Sequence, residues 1–231
     1  MKQKVILTDV RKKDYLYEEA IKTLRTNIQF TGKNVKIIMF TSCFPNEGKS
    51  DVTFQLAQEI GNMGKRVLLI DADIRKSAYI GRYRIKQNIN GLSQYLSGQL
   101  AKEFLIYETN YQNVNIIFAG PTAPNPSELL EEPAFQELLT EVRGLYDYII
   151  IDTPPAGSVT DAAIIAKESD GAVLIIESER VSYKVAQKVK EQMEKTGCKL
   201  LGVVLNKVNI EKEKYYGKYG YYYSSNKKSR K

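Results

Sequence analysis

Gly48, Lys49 and Ser50 close the loop in TSCFPNEGKSDVTFQLA (41–57), where a strand-like apolar run passes into a helix-like pattern. In that setting the triplet reads as a phosphate cradle. Loop N–H groups and the helix N-terminus meet phosphate oxygens, Lys49 neutralises the β- and γ-phosphates, and Ser50 offers its hydroxyl to Mg2+. Pro45, Asn46 and Glu47 complete the nucleotide-binding loop, and Asp51 follows it. Two residues break the common pattern G-x-x-x-x-G-K-S/T. Cys43 stands where the first glycine belongs, and Asp51 sets a carboxylate where incoming phosphates repel it. A carboxylate in the first helical turn is stabilising by about 0.3–1 kcal/mol. Our expectation is that Asp51 also weakens resting nucleotide affinity.

Acids complete the predicted site. Asp71 and Asp73 end the run VLLIDADIRKS, and residues two apart on a strand share a face. Two close carboxylates repel unless a divalent cation sits between them. A third acid, Asp152, ends YDYIIIDTPP. Ser50, Asp71, Asp73 and Asp152 are the expected metal set, and with Lys49 the three acids are the expected catalytic set. The chain has no histidine, so proton transfer falls to carboxylates. The base is read from LGVVLNKVN. GTP-binding proteins use the aspartate of Asn-Lys-x-Asp to hold guanine; Asn209 stands in that place here, which favours ATP. Asn206 could bond a purine edge, or could simply end a strand.

These residues need a scaffold that gathers strand ends. Runs at 35–41, 66–73, 114–120, 146–155, 171–178 and 199–208 are continuously apolar, as in parallel strands covered on both faces. Helical patterns lie at 14–30, 49–64, 126–143, 158–167 and 181–196. The alternation predicts an α/β fold, a doubly wound, mostly parallel sheet with helices on both faces, of the P-loop NTPase type. In PNPSELLEEPAF, Asn125 can cap a helix whose first residue is Pro126, with Glu128 reaching back as the capping-box acid.

Composition narrows the partners. The 231-residue chain is 43% hydrophobic and has two cysteines, Cys43 and Cys198, so neither a disulfide framework nor a zinc site is expected. No run approaches the roughly 18–20 apolar residues of a membrane span, and no signal-peptide core precedes the first element, which predicts a cytoplasmic protein. Of the net charge of +7, the segment 211–231 carries +5, from seven Lys/Arg and two Glu. That pattern is a 1–210 domain with a flexible basic tail, 211–231, and carries no sequence-reading nucleic-acid motif. The tail holds Tyr215, Tyr216, Tyr219, Tyr221, Tyr222 and Tyr223 among Gly, Lys and Ser. Phenols so placed read as phosphoryl acceptors or as a membrane-interface tail. Some twenty residues at roughly 3.3 Å each reach ~60 Å, enough for transfer between subunits.

Taken together, TSCFPNEGKS as a Walker A variant, LLIDADIR as Walker A′, IIIDTPP as Walker B, PNPSELL and the tyrosine cluster resemble the bacterial tyrosine kinases of capsule and exopolysaccharide systems. The resemblance spans almost the whole chain. It implies a deviant-Walker P-loop domain using ATP and Mg2+, in which Pro-x-Glu-Gly-Lys replaces the early glycine and one A′ acid orients or deprotonates the attacking phenol. It further implies tail autophosphorylation between subunits of a ring-like homo-oligomer, and reversal by a tyrosine phosphatase. The family's Glu-x-x-Arg-x-x-Arg assembly motif corresponds to Glu19, Lys22 and Arg25, with lysine at the middle position. The implied activator is a membrane-embedded polysaccharide co-polymerase acting through its cytoplasmic segment. Lacking a span, the chain looks like the members that are separate from that partner. Two rivals stay open. One is a MinD/ParA-like ATPase switch, although Phe44 occupies the place of its signature lysine; the other is a non-catalytic ATP-dependent scaffold.

Overall fold

Most of the continuous apolar runs become strands buried on both faces, where alternation feeds two separate cores; the last run, 199–208, becomes a partly exposed strand. The computed structural model describes residues 3–10, 14–157 and 160–209, so the tail tyrosines and the tail boundary lie outside the described residues. The elements are β1 (Gln3–Val5), α1 (Tyr15–Gln29), β2 (Ile37–Ser42), α2 (Lys49–Asn62), β3 (Val67–Asp71), α3 (Tyr79–Arg82), α4 (Leu92–Leu96), β4 (Tyr107–Thr109) and β5 (Val114–Ile117). They continue as α5 (Pro126–Glu131), α6 (Pro133–Leu145), β6 (Tyr148–Asp152), α7 (Asp161–Lys167), β7 (Gly171–Glu177), α8 (Tyr183–Glu194) and β8 (Leu200–Asn206).

The eight strands run in the order β1-β4-β5-β3-β6-β2-β7-β8. Every neighbouring pair is parallel except β4 against β5. In β2, Ile37 and Met39 pack with residues of α5 to α8 on one face, and Ile38 and Phe40 pack with α1, α2 and α3 on the other. Register brings the chemistry together. Asp152 at the end of β6 lies opposite Asp71 of β3 and Phe40 of β2. Ligands of open α/β sheets gather at such carboxyl ends.

Asp170, just before β7, fastens the opposite end of β2. One of its oxygens accepts the N–H groups of Lys36 and Ile37 and the Arg143 guanidinium, each at 2.8 Å. Burial alone would raise that carboxyl. Arg143 and the two backbone donors outweigh it and hold the group below the usual carboxylate value.

Several expectations change. β1 and β4, three residues each, carry no readable pattern. The helix expected at 126–143 is two helices, because Glu132 precedes Pro133 and takes an extended conformation, φ −61° and ψ 139°. Asn125 makes no side-chain cap; its amide donates to the Glu128 carboxylate at 2.9 Å, so the expected capping box is replaced by a side-chain pair. The helices expected at 158–167 and 181–196 are the shorter α7 and α8. At the sheet margin, β8 has no further strand beyond it among the described residues, and its Val203 and Leu205 are about half exposed.

Candidate functional site

The loop between β2 and α2 holds its shape through its own side chains and through two strand tips beside it. Its left-handed residues are Asn46 (φ 68°) and Gly48 (φ 89°). Cys43 is not among them, so this loop has no conformational need for a glycine there. Cys43 is fully buried, and burial raises its thiol to about 11, which leaves it unreactive. Glu47 turns inward and is buried. One oxygen accepts the Phe44 N–H at 2.9 Å, and the other accepts the Glu177 N–H at 3.3 Å.

From β8, the Asn206 amide donates to the Glu47 carbonyl at 2.8 Å, and Lys207 Nζ donates to the Asn46 carbonyl at 2.7 Å. Lys207 is itself held by Glu177 at 3.0 Å, which also pairs with Arg180 at 2.8 Å. Asn206, read as a purine contact or as a strand end, is the last residue of β8 and braces the loop with its amide. Its nitrogen lies 2.1 Å from where a Cβ on Gly48 would stand. Pro45 and Asn46 form the exposed crest of the loop.

Below the loop, Lys49 Nζ pairs with Asp152 at 3.0 Å. The Asp152 carboxylate is almost fully buried; Oδ1 faces Lys49, and Oδ2 accepts no hydrogen bond among the described residues. Asp71 is completely buried. It accepts the Ser77 hydroxyl at 2.5 Å and the Asp73 N–H at 3.3 Å. Burial, reinforced by Asp152, pushes the Asp71 carboxyl up to about 8. Asp73 lies past the end of β3, so the shared-face argument stops at Asp71. Its carboxylate caps its own turn by accepting the Lys76 N–H at 3.0 Å, and burial raises it while Lys49 opposes the rise.

Among the described residues no three Asp, Glu or Cys side chains form a metal cage on their own. The groups present suit Mg2+ all the same, since Mg2+ binds through one or two carboxylates, substrate phosphates and water. The buried Asp152 carboxylate, whose Oδ2 has no hydrogen-bond partner among the described residues, and Ser50 at the head of α2 fit such a partial shell.

Asp51 has a partner that local sequence does not reveal. Arg82, in the last turn of α3, reaches it at 2.8 Å. The Tyr79 hydroxyl, which lies 2.9 Å from Thr53 Oγ1 and 3.3 Å from the Ser50 carbonyl, packs α3 against α2. On α1, Glu19 and Lys22 pair with each other at 2.8 Å, and Arg25 turns to Glu59 of α2 at 3.4 Å. Arg82, Ser77 and Lys207 were not anticipated; Lys207 alone had a signal, its place in the Asn-Lys pair.

Comparison with known proteins sharpens this geometry. Residues 35–200 match a family model described as an AAA domain. Over 205 residues the chain is 44% identical to the tyrosine-protein kinase CpsD of Streptococcus agalactiae, covering 89% of each. The crystal structure of the chimerical protein CapA2B2 superposes with a TM-score of 0.79 at 32% identity, over 90% of this chain and 95% of that one. The septum site-determining protein MinD of Pyrococcus horikoshii, complexed with Mg-ADP, superposes with a TM-score of 0.64 at 27% identity, over 75% and 71%.

Proposed function

The chain belongs to the bacterial tyrosine-protein kinases, and we propose that it moves the γ-phosphoryl of ATP onto its own C-terminal tyrosines between subunits. The observation that carries this is the Lys49–Asp152 pair at the root of the braced loop, in a chain so similar to a tyrosine-protein kinase. Lys49 exchanges Asp152 for β- and γ-phosphate oxygens when nucleotide enters, while loop N–H groups take the remaining oxygens. Ser50 and Asp152 would hold Mg2+, with Asp71 and Asp73 around them. The ion supplies charge neutralisation between the phosphates.

Asp73, less buried than Asp71, is the acid that meets an incoming phenol. A loose phosphoryl-transfer transition state asks for orientation more than for a strong base. Tyr215, Tyr216, Tyr219, Tyr221, Tyr222 and Tyr223 are the proposed acceptors. Glu19, Lys22 and Arg25 are the proposed subunit contacts of a ring. No described helix is long and apolar enough to cross a membrane. The proposed setting is the inner face of the plasma membrane, beside a co-polymerase whose cytoplasmic segment activates the kinase. Cycles of phosphorylation and removal by a phosphatase then regulate polysaccharide assembly.

The test uses the full chain with Mg-ATP and that cytoplasmic segment. Mass spectrometry is expected to find phosphate on the tail tyrosines. Lys49→Met is expected to abolish it, and added active enzyme to restore it on the mutant's tail. ATP hydrolysis without phosphotyrosine would overturn the kinase reading in favour of a MinD-like switch.

A further inference from the structure

The segment PNPSELL has no part in the chemistry above, yet its serine meets an ion pair beside the acids, between the exposed Arg75 and a buried aspartate. Asp161, the first residue of α7, is fully buried. Its carboxylate takes a two-pronged bond from Arg75, Nε to Oδ2 at 2.7 Å and Nη2 to Oδ1 at 2.8 Å. The Ser127 hydroxyl of α5 donates to Oδ1 at 2.7 Å and accepts from Arg75 Nη2 at 3.0 Å. A backbone tie runs alongside, from the Ala123 N–H to the Ile74 carbonyl at 3.3 Å. Burial alone would raise the Asp161 carboxyl. The bonds from Arg75 and Ser127 overcome it and hold the group below its ordinary value, so the pair stays charged.

Arg75 stands two residues past Asp73 and is close enough for the two charges to attract. Without its fork, the guanidinium could swing onto the acids that face the nucleotide. A bidentate guanidinium–carboxylate pair fixes direction as well as charge, and a lysine in its place would not.

We propose that Asp161, seconded by Ser127, is a positioning residue. It locks Arg75 away from Asp73, Asp71 and Asp152, and so keeps the turn carrying Asp73 in shape and the acids available to Mg2+. This gives the PNPSELL segment its role, as the carrier of Ser127. The inference rests on the Mg2+–nucleotide reading of the site and needs no particular phosphoryl acceptor.

The experiment measures binding of a fluorescent ADP to the full chain as Mg2+ is varied, with phosphotransfer followed in parallel. Losing a residue that orients a metal's surroundings typically costs about 10–100-fold in metal affinity or activity. Asp161→Asn is expected to raise the Mg2+ half-saturation at least about tenfold and to lower kcat while the KM for ATP changes little. ADP binding in EDTA is expected to stay the same. Ser127→Ala, which removes the hydroxyl's bonds to Asp161 and Arg75 but leaves the fork, is expected to move the Mg2+ half-saturation the same way by about threefold. Wild-type Mg2+ half-saturation in the folded variants overturns the proposal, including the case in which only Tm falls. Should Asp161→Asn fail to fold, Ser127→Ala decides alone. If the wild type binds Mg-ADP but makes no phosphotyrosine, the kinase reading fails, and the binding arm still decides this one.

Discussion

Gly48→Ala tests the brace on the phosphate loop, and its effect should depend on Asn206. At φ 89° an alanine is strained by about 1–2 kcal/mol. Its Cβ would also stand 2.1 Å from the Asn206 amide nitrogen, so that amide must leave the Glu47 carbonyl. Stripping a carbonyl of its donor costs about 1–3 kcal/mol. The single substitution should therefore disfavour the phosphate-ready loop by about 2–5 kcal/mol. Asn206→Ala alone should cost only the second part. In the double variant the collision has nothing left to displace, and the total should match Gly48→Ala by itself. Apparent affinity falls with the fraction of loops in the competent shape, so the effect appears in nucleotide binding. The assay is equilibrium binding of a fluorescent ADP to the four proteins of the cycle. A coupling of about 1–3 kcal/mol, roughly 5- to 150-fold in Kd, is expected. Simple additivity would refute the brace.

Two further perturbations follow from the same structure. Arg82→Ala uncovers the Asp51 charge at the head of α2. It should weaken ADP binding by about 1 kcal/mol, an effect that high salt erases and Asp51→Thr reverses in the same background; unchanged binding by Arg82→Ala would sink the pairing argument. Asp170→Asn should lower stability at pH 7 by about 1–3 kcal/mol, or Tm by about 2–12 °C. Because the folded-state pKa of Asp170 is depressed, its contribution is present above the ordinary value of 3.8 and is lost as pH falls through the lower folded value. The two melting curves should converge in acid, and a gap that persists there would assign the cost to something other than this carboxylate.

Local pattern carried most of the sheet, because a strand covered on both faces must be apolar at every position; six apolar runs are long enough to see, and β8 shares the pattern although it is partly exposed. β1 and β4 are too short for any period to register. The break at Pro133 was readable, since the residue before a proline leaves the helical region; a continuous amphipathic stripe concealed it. Lys49 was legible from the loop that opens α2, and Asp71 and Asp152 from the runs that end in them; the fold brings these three together. The placement of Asp73 relied on strand alternation beyond the point where β3 stops. Asn206 and Lys207 could not be assigned to the loop from sequence. Their role follows from β8 lying next to β7 and β7 next to β2, and sheet order has no local signature. The Asp51–Arg82 and Arg75–Asp161 pairs were hidden for the same reason, as each joins elements that meet only in the folded chain.

The position of β8 sets an order of failure. β2 is buried along its whole length, whereas β8 lies at one margin of the sheet and its outer residues face solvent. Partial opening begins where burial is least, so peeling β8 takes less free energy than melting the sheet. Such an opening removes Asn206 and Lys207 from the Glu47 and Asn46 carbonyls while the central strands stay paired. Under mild heat or denaturant the protein would lose its hold on nucleotide well before it lost its fold. Nucleotide held by that loop would, in turn, slow hydrogen exchange along β8.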